Sequence, residues 1–352
     1  MVGWPSRRFL DLVGTEHPII QAPMAGAGGV DLCIAAMKGG ALGSLPCALL
    51  EPGQVLEEVA EIRAQAIGPI NLNFFCHRMP TDVDDQEWGV LLRPYYDEFD
   101  VEAGSGGPLR LPFDADMCAL VEELGPQVIS FHFGLPAPDL LDRVKATGAV
   151  VIGNATSVEE ARWLESRGAD AIIAQGFEAG GHTGRFLGDD PAEAMGLFAL
   201  IPKLADAVSV PVIAAGGIGD GRGIAAALIL GASAVQLGTA YLHAPETRIS
   251  DVHRRRLKGG HTLFTNLMTG GLARGLRGRL TDELGPVRTE VPPYPLASAA
   301  LAPIRAAAEK RGEYGFGPMW AGQAAPLGTA LPATDLTRKL AADALAILRG
   351  QA

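Results

Sequence analysis

The residues of this chain most clearly shaped for chemistry are two glycine clusters. One is Val212-Ile213-Ala214-Ala215-Gly216-Gly217-Ile218-Gly219-Asp220-Gly221; the other, after a helix-like stretch, is Ala234-Val235-Gln236-Leu237-Gly238-Thr239-Ala240. Each is an apolar run ending in glycine, and glycine lets bare backbone N–H groups approach a ligand with no side chain in between. A helix N-terminus after the first run adds partial positive charge. Together they suit a phosphate dianion held without Lys or Arg, by Gly216, Gly217, Gly238 and Thr239 with Gln236 and Leu237 flanking. Tight turns alone account for Gly219 and Gly221, but not for two clusters at neighbouring strand ends. The motif does not say which phosphate ester is held.

Other candidates also close apolar runs. Gln21-Ala22-Pro23-Met24-Ala25-Gly26 offers compact residues against which a planar ring lies flat. Asn73 and Gln175 donate and accept, as the polar edge of such a ring requires, although a buried amide also serves simply to satisfy nearby backbone. His132, in Ile129-Ser130-Phe131-His132-Phe133-Gly134, is placed to act as acid, base or anion partner. His182 lies in Glu178-Ala179-Gly180-Gly181-His182-Thr183-Gly184, read as a glycine-flanked loop facing cofactor or substrate. Neither an HExxH helix nor a Cys/His cluster occurs, so no metal is expected. The absence of GxSxG argues against Ser-His-Asp hydrolysis.

Short apolar runs alternating with helix-like segments are the pattern of βα units on a parallel sheet covered on both faces. Expected strands are Ile19–Ala22, Ala41–Leu45, Ile70–Phe75, Val128–Phe133, Val150–Gly153, Ala171–Gln175, Val212–Ala215 and Ala234–Leu237. Expected helices include Pro52–Ala66, Pro138–Thr147, Val158–Arg167, Ala194–Ala207, Arg222–Leu230 and Asp335–Leu348, with Asp31, Ser157 and Asp220 as N-caps. About eight such units make an α/β fold of the (β/α)8 type, whose phosphate sites follow the last two strands and whose chemistry sits at the C-terminal mouth. A doubly wound open sheet has the same alternation, but length, strand count and the late phosphate motif favour the barrel. Residues 1–242 and 312–352 are assigned to it, and 243–311 to a small, mainly helical second domain over the mouth. The Pro/Gly/Asp-rich stretch 77–113 is too long for an ordinary βα loop and is expected as a lid.

With 352 residues, 48% hydrophobic and 20% charged, the chain has ample core, while its net charge of −11 disfavours nucleic acid and anionic membrane as partners. No run long enough to span a bilayer and no signal-peptide stretch is evident, so a soluble, cytoplasmic protein acting on a small molecule is expected. Cys33, Cys47, Cys76 and Cys118 show neither CxxC spacing nor disulfide density and read as reduced, buried residues. Assembly into a homo-oligomer is compatible with the sequence, which does not fix it.

QAPMAG, NLNFF, SFHFGLP, GFEAGGHTG, AAGGIGDGRG, QLGTAYL and MWAGQAAP, in this order from about Pro18 to Pro326, resemble the nitronate monooxygenase family. The resemblance implies an FMN-binding barrel that oxidises alkyl nitronates with O2 to a carbonyl compound and nitrite. By motif, its FMN contacts are Ala22, Pro23, Met24, Asn73, Gln175, Gly180, Gly181, Gly216, Gly217, Gln236, Leu237, Gly238, Thr239 and Gln323. His132 resembles the active-site histidine of class I members; His182, Tyr96 in RPYYDEF and Tyr294 are expected to face substrate. Class I members carry a second tyrosine and a lysine shortly after the tyrosine of their YP motif, whereas Tyr294–Ala302 has neither. NAD(P)H-dependent flavin reductases of the quinone or enoyl-acyl carrier protein type share the glycine motifs and form the alternative. A non-redox phosphate-ester lyase or isomerase, and a non-catalytic flavin carrier, are readings from other classes.

Overall fold

The computed structural model describes residues 3–81, 83–104, 109–188 and 190–351, so part of the expected lid and the extreme termini lie outside the described residues. Its strands are β1 (Ile19–Gln21), β2 (Gly43–Pro46), β3 (Ile70–Phe75), β4 (Val128–His132), β5 (Val150–Ala155), β6 (Ala171–Gln175), β7 (Gly181–His182), β8 (Val212–Ala215), β9 (Ala234–Leu237), β10 (Thr262–Thr265) and β11 (Ala273–Leu276). Eight of them pair in parallel in the order β1-β9-β8-β6-β5-β4-β3-β2. A parallel bridge between Ile20 and Leu42, with Gln21 N donating to Leu42 O at 2.9 Å, brings the two ends together into a nearly closed barrel.

These strands are buried on both faces, which is why they read as short apolar runs without polar alternation. One set of side chains, Ile20, Val128, Ile152, Ile173, Ile213 and Ala234, clusters with Phe9, Leu10 and Val13 of helix Arg8–Val13. The alternate set, including Leu72, Ile129, Val151, Ile172, Ala214, Val235 and Leu237, packs with the surrounding helices in the main core. Alternation along β9 thus sends Gln236 and Leu237 to opposite sides.

The expected caps are partly right. Ser157 Oγ accepts from Glu160 N at 3.2 Å, and Asp220 Oδ1 from Arg222 N at 3.0 Å. Asp31 is instead in the first turn of helix Val30–Lys38, whose cap is Gly29. Helix Ala115–Leu124, capped by Asp114, was not expected and precedes β4.

A second hydrophobic cluster lies apart from the barrel core. Trp88, Leu92, Tyr95, Tyr96 and Phe99 of helix Gln86–Phe99 join Leu301, Ile304 and Ala308 of helix Ala297–Lys310, with Leu280 and Phe316. The segment expected as a lid therefore supplies a helix to a packed core. β10, β11 and β7 form a three-stranded antiparallel sheet that the sequence reading did not contain. Among the described residues, no helix is long and apolar enough to cross a membrane.

Candidate active site

The C-terminal ends of the barrel strands surround a cavity of about 570 Å3, a size usual for a cofactor or drug-sized ligand. Of the residues singled out above, Ala22, Pro23, Met24, Asn73, His132, Gln175, Gly180, Gly181, His182, Gly216, Gly217, Gln236, Gly238 and Thr239 line it. They come from six different strand ends, and pairing explains their convergence. β6, β8 and β9 are neighbours, with Gln175 beside Ala215 and Ala215 beside Gln236; across the barrel, Asn73 is beside Ser130.

At the glycine-rich end, Gly216 (φ +107°) and Gly217 (φ +69°) are both left-handed, a conformation that few other residues adopt. A Cβ on Gly216 would lie 2.9 Å from Ala179 N, and one on Gly180 2.5 Å from Gly322 N. Three backbone segments thus meet without side chains between them. Thr239 Oγ1 accepts from Gly322 N at 2.9 Å, tying the late MWAGQAAP segment to the end of β9. Gly221 has a different purpose from a turn: a Cβ there would be 2.5 Å from Asp343 Cβ, so its bareness lets helix Ala333–Leu348 pack against helix Gly221–Ile229.

The amides divide into two kinds. Gln236 Oε1 is buried at the cavity wall and has no protein partner among the described residues, an arrangement that costs free energy unless a ligand donates to it. Gln175 is fully engaged: Nε2 donates to His182 O at 2.9 Å, and Oε1 accepts from Gly184 N at 2.6 Å and Asn154 Nδ2 at 3.1 Å. Its amide fixes the His182–Gly184 segment. Asn73 Nδ2 donates to Ser130 Oγ at 2.9 Å.

His132 ends β4 with one edge to the cavity and its ring 4.5 Å from Phe133 and 5.5 Å from Phe75, centre to centre. Burial in this apolar ring lowers its pKa to about 4, with a hydrogen bond donated by the imidazole to the backbone of His182 opposing the shift. At neutral pH the imidazole is uncharged and available as a base. Phe133 holds φ +66° between His132 and Gly134, a strained setting for a bulky residue. His182 belongs to β7 rather than to a loop, pairing with Ala273, and its Nε2 meets Thr269 Oγ1 at 2.8 Å. Burial, together with the charges of Arg110 and the neighbouring histidines, holds it well below the usual histidine range.

Four expected site residues are not on the wall. Leu237 turns outward into the core because it neighbours inward Gln236. The Gln323 side chain is exposed; only its backbone N–H is engaged, donating to Glu178 O at 2.9 Å, while Gly322 and Ala324 line the cavity. Tyr294 packs edge-on to His182 at 4.9 Å without reaching the wall. Tyr96 is buried in the second cluster, its hydroxyl donating to Ala300 O at 2.6 Å. Tyr96→Phe is accordingly expected to cost about 1 kcal/mol in a denaturation curve and to leave turnover unaltered. Lost turnover at unaltered stability would return Tyr96 to the site.

Sequence reasoning missed Asn154, Phe75, Trp320 and Arg110, all of which line the cavity. Among the described residues, no group of His, Cys, Asp and Glu is placed to hold a metal ion.

A parallel α/β barrel with side-chain chemistry and a bare glycine cradle at one mouth is the plan of a barrel enzyme. The nitronate monooxygenase family model matches residues 6–343. Nitronate monooxygenases of Paraburkholderia phytofirmans and Pseudomonas aeruginosa are 43% and 41% identical, each aligned over 95% of this chain and over 94% and 97% of their own. The crystal structure of nitroalkane oxidase from Streptomyces ansochromogenes is 33% identical, with TM-score 0.89 over 98% of this chain and 100% of its own. The chain belongs to the nitronate monooxygenase family and is an oxidoreductase.

Proposed function

We propose that this enzyme holds FMN at the barrel mouth and oxidises alkyl nitronates with O2 to a carbonyl compound and nitrite. The observation that carries the reading is one cavity that joins a bare glycine cradle to an uncharged histidine and an unpartnered amide. Left-handed Gly216 and Gly217 with Gly238 suit the phosphate, and Gln236 Oε1 suits a donor on the ring edge. When bound, the flavin supplies the electron acceptor, so an electron-rich nitronate needs no nicotinamide.

The protein side chains do the rest. Ala22, Pro23 and Met24 offer a compact wall for a planar ring. His132, uncharged at neutral pH, takes the α-proton of a neutral nitroalkane or orients a nitronate already formed. Gln175 and Asn154 keep the His182–Gly184 segment against that histidine, with so little room that a Cβ on Gly184 would be 2.7 Å from His132 Cε1.

One spectroscopic experiment tests this. The purified protein is expected to be yellow, and under anaerobic conditions a nitronate should bleach the flavin whereas NADH should not. Rapid bleaching by NADH with no nitronate turnover would make the protein a nicotinamide-dependent flavin reductase instead. Protein without yellow colour would remove flavin from the account.

A further inference from the structure

The cavity wall carries three arginines, and they differ in what neutralises them. Arg248 lies 3.7 Å from Glu58, and Arg305 donates to Glu309 at 2.8 Å. Arg110, half-buried on the same wall, has no acceptor for its guanidinium and no ion-pair partner among the described residues. Its backbone is fixed, since His77 Nε2 hydrogen-bonds to Arg110 O at 3.0 Å.

A partly desolvated cation without a counter-charge is costly, and an anion entering the cavity removes that cost. The surroundings of Arg110 point the same way. Its charge acts on both His182 and Tyr294, whose rings pack against Phe133 beside His132. The Tyr294 hydroxyl is buried there without a partner among the described residues. His132 and His182 are both uncharged at neutral pH and supply no cation of their own. A guanidinium fork matches two oxygens on one planar group, the shape shared by carboxylate, nitrite and nitronate.

We propose that Arg110 binds the two-oxygen anionic end of the substrate and so sets the preference of this enzyme for anions over their neutral conjugate acids. That the anion is a nitronate rests on the function proposed above; the anion site itself does not.

The test uses sodium nitrite as the probe, titrated by calorimetry at constant ionic strength into the protein as purified. Arg110→Met should weaken nitrite binding roughly 10- to 100-fold, as expected for loss of charge-assisted hydrogen bonds. It should raise KM for nitronate by a similar factor with kcat little changed. Arg110→Lys, which keeps the charge but not the fork, should recover part of both. Should Arg110→Met fail to fold, Arg110→Gln carries the same comparison. Wild-type affinity in the charge-removing variant, no nitrite binding by the wild type, or a loss confined to Arg305→Met would each overturn the assignment. If the wild type binds nitrite through Arg110 but turns over no nitronate, the anion site stands and the nitronate reading falls.

Discussion

His132→Asn is expected to retain bound flavin and to lose turnover of neutral nitroalkane by a factor of about 10^2 to 10^4, the range removed with a positioned general base. Asparagine keeps a polar group at the end of β4 but cannot take up a proton. With nitronate formed beforehand, the proton transfer is already done, so the loss should be much smaller. The pH profile gives the sign independently. Burial lowers the His132 pKa from its ordinary 6.5 to about 4, so the base form persists in more acidic solution than for an exposed histidine. The acid limb of kcat/KM for nitroalkane should therefore lie near pH 4 and vanish in the variant. A limb near 6.5, or equal losses on both substrates, would take the proton from His132 and give it to another group.

The same reasoning bears on the surrounding ring of aromatics. His132 stays uncharged because it is buried against Phe75 and Phe133, and Phe133 packs there from a left-handed backbone. A strained residue beside a reacting group is explained if the strain positions that group.

The sequence was most legible where one local rule decides the outcome. All eight barrel strands follow from short apolar runs, because a strand covered on both faces has no polar alternation to hide it. The meeting of Gly216, Gly217 and Gly238 at the barrel mouth followed from glycines at adjacent strand ends. Reading failed where a residue serves two masters. Gly153 looked like a strand end, yet β5 continues to Ala155; a Cβ on Gly153 would lie 2.7 Å from Leu164 Cδ2, so the glycine makes room for a helix. Stopping there hid Asn154, which braces Gln175.

Tyr96 illustrates the opposite error. Trp88, Leu92, Tyr95, Tyr96 and Phe99 recur at helical spacing, the mark of a buried stripe, and that periodicity was the better guide to Tyr96 than its motif. Leu237 could likewise have been removed by alternation, since it follows inward Gln236. Arg110 had no local signal at all. Its position on the wall depends on how the chain after helix Gln86–Phe99 returns to the barrel, with Phe113 N donating to Phe75 O at 2.7 Å, a long-range fact no window of sequence contains.

Gly216→Val should abolish most flavin retention, and the loss should be specific to the phosphate. At φ +107° a β-branched side chain is strained in itself, and its Cβ would sit 2.9 Å from Ala179 N, so the backbone must move. Movement there withdraws the amides of Gly216 and Gly217 together. Each hydrogen bond to a charged group contributes about 1.5–3 kcal/mol, so two lost donors weaken FMN by roughly 10^2- to 10^4-fold at about 1.4 kcal/mol per decade. Riboflavin, which has the ring but no phosphate, never had those bonds to lose. Affinities of the apoprotein for FMN and for riboflavin, measured by quenching of flavin fluorescence, should therefore converge in the variant while differing widely in the wild type. Gly221→Ala is the control: its Cβ would press on Asp343 and Ala344 and lower the melting temperature, but the FMN-over-riboflavin preference should persist. If Gly216→Val keeps that preference undiminished, the phosphate is gripped elsewhere and the glycines at the ends of β8 and β9 are there for packing alone.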